Sequence, residues 1–220
     1  MNRKSVGIPL GLALALAVVS AVSWSQGNTL VALLAVIGAA WLSAIGAGLF
    51  QRWLGVWFAA VYALMVSLYL GIQHKGVAGK SICSVSQTFD CDKVNASAYA
   101  EIFGIPIAFL GASFYAGVIA LAVLSLRSPA AYKHAAHLVT ASASASVLYS
   151  AYLANASLEI GAWCLFCISL YGLNAILLWL GLDLVRGSED GVFKGAFAGG
   201  RSTNAFVGSS ALVLIGTMAW

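Results

Sequence analysis

Residues 29–72 read TLVALLAVIGAAWLSAIGAGLFQRWLGVWFAAVYALMVSLYLGI, two apolar runs of about twenty residues each, separated only by Gln51 and Arg52. A run of that length matches a helix that crosses the hydrocarbon core of a bilayer, which needs roughly 17–25 residues. A strand of a membrane barrel needs only about 9–11 residues, and backbone groups in lipid must bond within a helix or a closed barrel. The stretch therefore predicts two consecutive membrane-spanning helices.

Five further apolar runs flank this stretch, and together the seven runs predict an all-α, polytopic membrane helix bundle. They are Ile8–Trp24, Thr29–Phe50, Trp53–Ile72, Ile102–Leu126, Ala131–Ala154, Ala162–Val185 and Ala205–Trp220. The composition agrees, since 61% of the residues are hydrophobic and 8% charged, against about 25% charged in soluble domains. The net charge of +4 comes from basic residues spread singly along the chain, which argues against a nucleic-acid partner.

The basic residues also predict how the helices cross the membrane. If all seven runs span, eight of the eleven Lys and Arg residues lie on the side of the N-terminus, and Lys75, Lys80 and Lys93 lie on the other. Because Lys and Arg in short connections favour the cytoplasm, we expect a cytoplasmic N-terminus. All four cysteines then face the opposite side, which in the inner membrane of a bacterium is the periplasm, where disulfides persist.

The four cysteines form two close pairs. Cys83 and Cys91 lie in a polar loop with seven residues between them, and Cys164 and Cys167 form a Cys-Leu-Phe-Cys tetrad at the start of the sixth run. A cysteine at a helix N-terminus meets free N–H groups and the positive end of the helix dipole, which stabilises a reactive thiolate. A mobile loop pair can exchange disulfides with such a thiolate. The pattern predicts thiol–disulfide chemistry.

Two other interpretations of the cysteines remain open at this point. Zinc accepts four thiolates, but the seven-residue gap and an oxidising compartment disfavour it. The pairs can also be structural disulfides of a non-catalytic membrane anchor. If the thiols do release electrons, the acceptor is a lipid-soluble carrier, because the chain has no dinucleotide fingerprint or haem signature. His74, His134 and His137 form no pair of ligands near the cysteines.

The cysteine spacings and the residues around them resemble the vitamin K epoxide reductase family over roughly residues 52–186. The matching features are Cys83 and Cys91 with Ser97 six residues further, Gly111 with Tyr115 four residues on, and Cys164-x-x-Cys167 with Tyr171 four residues beyond. The resemblance implies four helices around a quinone, either ubiquinone or menaquinone, with Ser97, Gly111, Tyr115 and Tyr171 near it.

The resemblance also implies an order for the cysteines. Cys83 would exchange with a thioredoxin-like partner, either a periplasmic protein or a fused domain, Cys91 would exchange with Cys164, and Cys167 would face the quinone. One position departs from the family, because Ile107 stands where the vertebrate enzymes carry a quinone-contacting asparagine. That departure disfavours reduction of an epoxide. The expected activity is a quinone-dependent disulfide oxidoreductase, and a quinone or epoxide reductase is the alternative.

The expected domain organisation follows from the same boundaries. Residues 1–50 form two N-terminal helices, of which the first can instead be a cleaved signal peptide, since basic residues precede it and small residues end it. Residues 51–186 form the four-helix core, and residues 187–204 a cytoplasmic linker. Residues 205–220 begin a further transmembrane helix, which we expect to lead towards a thioredoxin-like domain.

Overall fold

The computed structural model describes residues 3–76, 79–127, 129–186 and 200–219, and within these residues the chain is almost entirely helical. The α-helices are α1 Arg3–Ser25, α2 Thr29–Phe50, α3 Arg52–His74, α4 Cys91–Asn95, α5 Ile107–Arg127, α6 Pro129–Ile160, α7 Leu165–Leu184 and α8 Arg201–Met218. The other elements are a single turn of 3-10 helix at Ala98–Ala100 and two antiparallel strands, β1 Glu101–Ile102 and β2 Ile105–Pro106. The predicted all-α membrane bundle is confirmed.

Five of the helices, α1, α2, α3, α5 and α7, are long and apolar enough to cross a membrane. The seven predicted runs therefore do not all form helices that are both long and apolar enough to cross a membrane. The fifth run lies in α6, which has 32 residues but carries many serines, and the seventh lies in α8, whose apolar part, Ser202–Met218, is shorter than the five. Most of the predicted linker, residues 187–199, lies outside the described residues.

Several predicted helix boundaries were wrong, among them two at the end of the bundle that carries the cysteines. The fourth run was expected to begin at Ile102, but α5 begins at Ile107 because the six preceding residues form the β1–β2 hairpin. Phe103 and Gly104 turn this hairpin with φ of 51° and 77°, a left-handed conformation that a helix cannot contain. The fifth run was expected to end at Ala154, but α6 continues to Ile160.

The centre of the bundle is formed by α3, α5, α6 and α7, each of which packs against two others of this group. Small residues permit close contact, since Ala59, Ala60 and Ala63 of α3 are completely buried. Helices in lipid gain little from the hydrophobic effect and associate by close packing, which small residues favour. The hairpin of α1 and α2 packs on α3 through α2, and α8 packs mainly on α5.

The two ends of the bundle differ in chemistry. At one end Arg52 forms an ion pair with Asp183 and donates a hydrogen bond to the carbonyl of Gly48 at 3.0 Å, so α2, α3 and α7 are joined there. Arg186 also pairs with Asp183, at 3.0 Å. The cysteines lie at the opposite end, where α3 ends and α7 begins. The core therefore carries basic groups at one end and thiols at the other.

The close packing of α2 on α3 generates a stability prediction at Gly55. A Cβ atom there would lie 2.5 Å from the Cα atom of Gly48 and 2.8 Å from the carbonyl oxygen of Ala44, and backbone atoms cannot rotate away. Gly55→Ala is expected to cost about 1–3 kcal/mol of stability, measured as a lower thermal midpoint in detergent. Gly208→Ala in α8 is the control, because nothing lies within 4 Å of its added Cβ. Equal midpoints for the two variants would contradict this packing.

Candidate active site

The loop that carries Cys83 and Cys91 is paired by backbone hydrogen bonds with the residue just before Cys164. Phe89 and Trp163 form a parallel bridge. The N–H of Asp90 donates to the carbonyl of Trp163 at 3.0 Å, and the N–H of Trp163 donates to the carbonyl of Thr88 at 2.8 Å. These bonds hold the loop directly against the start of α7.

Asp90 fixes the position of Cys91 within this loop. Asp90 is the N-cap of α4, and its carboxylate accepts hydrogen bonds of 3.1 Å from the N–H groups of Asp92 and Lys93 and of 2.9 Å from the hydroxyl of Ser84. The N–H of Lys93, together with the Ser84 hydroxyl, holds the pKa of Asp90 below its ordinary value. The charged cap therefore persists at neutral pH and starts the short helix at Cys91.

The structure brings three sulfur atoms together. Cys83 and Cys91 form a disulfide, and Cys164 is a free thiol. The Sγ atoms of Cys83, Cys91 and Cys164 all lie within 4.8 Å of one another. The three residues are buried, with at most 1% of their surface exposed. In this arrangement, exchange between the loop and Cys164 needs no large swing of the loop.

Cys164 lies at the N-terminus of α7, as the Cys-x-x-Cys spacing predicts. It is the N-cap residue, and its Sγ accepts a hydrogen bond of 3.2 Å from the N–H of Cys167. Free N–H groups at a helix start stabilise a thiolate. Cys167, also a free thiol, follows one turn into the helix. The tetrad thus joins the sulfur cluster to the interior of the bundle.

A cavity of about 630 Å³ lies inside the bundle, next to Cys167. Its wall comes from the four core helices, from α4 and the segment between α4 and α5, and from α8. Of the residues singled out by the sequence, Cys167, Ser97, Gly111, Tyr115 and Tyr171 line this cavity, whereas Cys83, Cys91 and Cys164 lie outside its wall. Cys167 therefore connects the sulfur cluster to the cavity.

Two of the predicted cavity residues already use their hydroxyl groups within the protein. Tyr115 donates to Oδ1 of Asn174 at 2.8 Å, and Asn174 donates through Nδ2 to the hydroxyl of Ser150 at 2.9 Å. Ser97 donates to the carbonyl of Val94 at 2.7 Å. Tyr115 and Ser97 are therefore structural donors as well as members of the cavity wall.

Ser67 of α3 is a cavity residue that the sequence analysis missed. A serine in a helix commonly bonds a carbonyl of the preceding turn, and the cavity residues Ser113, Ser142 and Ser150 all do so. Ser67 is completely buried, and among the described residues its hydroxyl has no hydrogen-bond partner. It lies opposite Gly111, where an added Cβ would be 3.2 Å from its Oγ. A serine within an otherwise apolar run was the available signal.

Asn174, Phe206 and Ser210 also line the cavity and were missed. Asn174 could have been found as a lone amide in an apolar helix. The two α8 residues gave no local signal, because their position depends on contact with α5. An added Cβ at Gly117 of α5 would lie 2.6 Å from the Phe206 ring and from the Ser210 hydroxyl, so this glycine permits α8 to approach.

The sulfur cluster could hold a soft metal ion only in a reduced form. The Sγ atoms of Cys83, Cys91 and Cys164 are close enough to bind one ion. Cys83 and Cys91 share a disulfide, however, and a cysteine binds zinc only as a thiolate. The arrangement thus favours exchange between sulfur atoms.

A helical membrane protein with a free Cys-x-x-Cys dithiol beside a second cysteine pair, and with one thiol at an apolar cavity, has the construction of a membrane thiol oxidoreductase. The model of the Vitamin K epoxide reductase family matches residues 53–182, more than half of the chain, and the chain belongs to this family. It is therefore a multi-pass membrane oxidoreductase with disulfide chemistry. Searches among curated proteins and among solved structures give no match. The helices α1, α2 and α8 lie outside the matched region.

Proposed function

We propose that this protein forms disulfides by passing electrons from a thioredoxin-like partner, through its two cysteine pairs, to a quinone. The observation that carries the proposal is the position of the Cys164–Cys167 tetrad. Cys164 lies within 4.8 Å of both loop sulfurs, and Cys167 lies in the wall of the internal cavity. One pair of thiols thus contacts both the loop disulfide and the space for an acceptor.

The electrons follow a sequence of balanced exchanges. The partner's dithiol reduces the Cys83–Cys91 disulfide and becomes a disulfide itself. The Cys91 thiolate attacks Cys164 of an oxidised tetrad, and Cys167 leaves as a thiolate. Cys83 then attacks Cys91, which re-forms the loop disulfide and releases Cys164. The reduced tetrad gives two electrons and two protons to the acceptor and returns to its disulfide.

The cavity fits a quinone by size and chemistry. Its volume of about 630 Å³ falls within the roughly 300–1,000 Å³ typical of small-molecule sites. Its lining is mostly apolar, and the buried hydroxyl of Ser67 has no partner within the part of the chain that the structure describes, which suits a quinone carbonyl. A bound quinone would supply a two-electron acceptor beside Cys167. Ser67 and Tyr171 would orient it, and Gly111 would leave room for the Ser67 hydroxyl to turn.

Reduction of an epoxide is less well supported than oxidation of thiols. Ile107, which replaces the asparagine of the vertebrate enzymes, lies in the cavity wall and offers no polar group. The identity of the quinone, ubiquinone or menaquinone, depends on the membrane in which the protein works.

The thioredoxin-like partner would meet the protein at the loop end. Cys83 and Cys91 are both buried, so attack on their disulfide requires the loop to open outward. The exposed residues Ser86 and Gln87 precede the Trp163 pairing and offer the place where opening would start. Opening for the partner and closing for the internal exchange would then alternate.

We further propose that the loop end faces the periplasm of a bacterium, with the protein in the inner membrane. The support is the ion-paired basic end formed by Arg52 and Arg186, opposite the cysteines. The partner, whether a fused domain or a separate protein, would then work in an oxidising compartment.

Replacing Cys167 tests the route to the acceptor. Cys167→Ala is expected to reduce dithiol-driven quinone reduction to the uncatalysed background, because it removes the only thiol in the wall of the cavity as the structure describes it. The assay uses detergent-solubilised protein, a small dithiol and a short-tailed benzoquinone, whose loss of absorbance is followed. Ser144→Ala is the matched control, since its hydroxyl bonds a carbonyl of its own helix and lies outside the cavity wall. A rate for Cys167→Ala near that of the unsubstituted protein would refute the route.

Single introduced cysteines test the proposed orientation. Ser86→Cys lies on the exposed loop, and Phe50→Cys lies at the opposite end, where the Phe50 side chain is 64% exposed. A membrane-impermeant maleimide is expected to label Ser86→Cys in intact spheroplasts and Phe50→Cys only in inverted vesicles. The reverse pattern would place the cysteine end in the cytoplasm, and an oxidising compartment would then no longer support the proposed disulfide formation.

A further inference from the structure

A chain of hydrogen bonds leads to the sulfur of Cys83. The hydroxyls of Tyr69 and Ser81 lie 3.1 Å apart, and the Ser81 hydroxyl lies 3.1 Å from the Cys83 Sγ. Gln73 donates to the Tyr69 hydroxyl at 2.9 Å through Nε2, and the N–H of Ile82 donates to the same oxygen at 3.2 Å. Ser81 and Cys83 are buried, at 5% and 0% exposure.

The disulfide fixes the direction of every bond in this chain. Cys83 in its disulfide carries no hydrogen, so the Ser81 hydroxyl must be the donor to its sulfur. Ser81 has a single hydroxyl hydrogen, and the Tyr69 hydroxyl must therefore donate to Ser81. The donors along the chain all point towards the Cys83 sulfur, and hydrogen bonds aligned in this way strengthen one another.

Two further contacts hold the chain in place. The backbone N–H of Ser81 donates to the Asp92 carboxylate at 3.0 and 3.2 Å, so Ser81 is tied to α4 beside Cys91. The Tyr69 ring packs edge-on against Phe166, with ring centroids 5.3 Å apart. Because Phe166 lies between Cys164 and Cys167, the donor chain is anchored to both cysteine pairs.

We propose that Ser81, supported by Tyr69, is a catalytic hydrogen-bond donor that stabilises the thiolate of Cys83 and so selects Cys91 as the loop sulfur that bonds Cys164. This inference rests on the proposed function and names a residue that directs its internal step. Tyr69 acts through Ser81 and is a positioning residue.

The selection follows because distance alone does not distinguish the two loop sulfurs, which both lie within 4.8 Å of Cys164. A thiolate that attacks a disulfide expels the sulfur that is more stable as a thiolate. The Ser81 hydroxyl reaches the Cys83 Sγ, whereas within the described residues no donor reaches the Sγ of Cys91. Cys83 is therefore the favoured leaving group.

The step balances in both directions. The Cys164 thiolate attacks Cys91, the Cys91–Cys164 bond forms, and the Cys83–Cys91 bond breaks with Cys83 leaving as a thiolate beside Ser81. In the direction of disulfide formation, the Cys83 thiolate attacks Cys91 and Cys164 leaves with the electron pair. Two electrons move between sulfur atoms, and no other oxidant or reductant takes part.

The test measures how pH controls the reactivity of Cys83. In full-length Cys91→Ala protein, reduced and held in detergent, the rate of Cys83 alkylation by iodoacetamide is followed against pH by peptide mass mapping. Addition of Ser81→Ala is expected to raise the midpoint of this pH profile by about one pH unit or more, as for loss of a hydrogen bond to a charged group. Tyr69→Phe should raise it less, and Ser81→Thr, which keeps a hydroxyl, should leave it near the parent value.

Ser84→Ala is the matched control for a purely structural effect. Ser84 lies on the same loop, and its hydroxyl bonds the Asp90 carboxylate instead of a sulfur. A change in loop access would alter the rate at every pH without moving the midpoint, so Ser84→Ala should leave the midpoint unchanged. An unchanged midpoint in Ser81→Ala would overturn the proposal, and so would an equal shift in Ser84→Ala.

A trapping measurement tests the selection itself. In Cys167→Ser protein no thiol at residue 167 can resolve a disulfide of Cys164, and the internal disulfide that accumulates is expected to be Cys91–Cys164, with Ser81→Ala raising the share of Cys83–Cys164. A predominance of Cys83–Cys164 while Ser81 is intact would overturn the proposal. Dithiol-driven quinone reduction by the unsubstituted protein, with all four cysteines present, is measured in parallel. Its absence would refute the proposed function, while the pH profile would still decide the role of Ser81.

Discussion

The pairing of Phe89 with Trp163 is the constraint on which the site depends. Loop and helix come from distant parts of the chain, and two backbone hydrogen bonds to Trp163 hold Cys91 beside Cys164. Without this pairing no backbone hydrogen bond would join the loop to the start of α7, and the cost of bringing a sulfur to the helix would include the entropy of ordering that part of the loop. With it, three sulfurs lie within 4.8 Å of one another.

The membrane bundle connects the sulfur cluster at its end to the interior of the bilayer. The start of α7 carries Cys164 towards the loop and Cys167 into the cavity wall one turn later. The same helix is fixed at its other end by the ion pair of Asp183 with Arg52. In the proposed mechanism, α7 keeps the two thiols in place while the loop opens for an outside partner.

The sequence predicted those parts of the fold that depend on local composition. Long apolar runs gave the helices, and the Cys-x-x-Cys spacing gave the N-terminal position of Cys164, because both signals lie within a few consecutive residues. The hairpin before α5 was missed because Ile102 and Phe103 are as apolar as the residues of a membrane helix. Only the left-handed turn at Phe103 and Gly104 distinguishes this segment from the helix that follows. The sulfur contact of Ser81 and the approach of α8 to the cavity depend on tertiary packing that no local pattern contains.

The central claim is that all four cysteines form one path that ends at a quinone. The most direct test adds one equivalent of a short-tailed benzoquinone to fully reduced protein and maps every thiol and disulfide by mass spectrometry after a single turnover. The account predicts loss of two thiols per quinone, with the product carrying the Cys83–Cys91 disulfide and free Cys164 and Cys167, the state that the structure shows. Oxidation confined to Cys164 and Cys167 while the loop thiols stay reduced, or no loss of thiols, would contradict it.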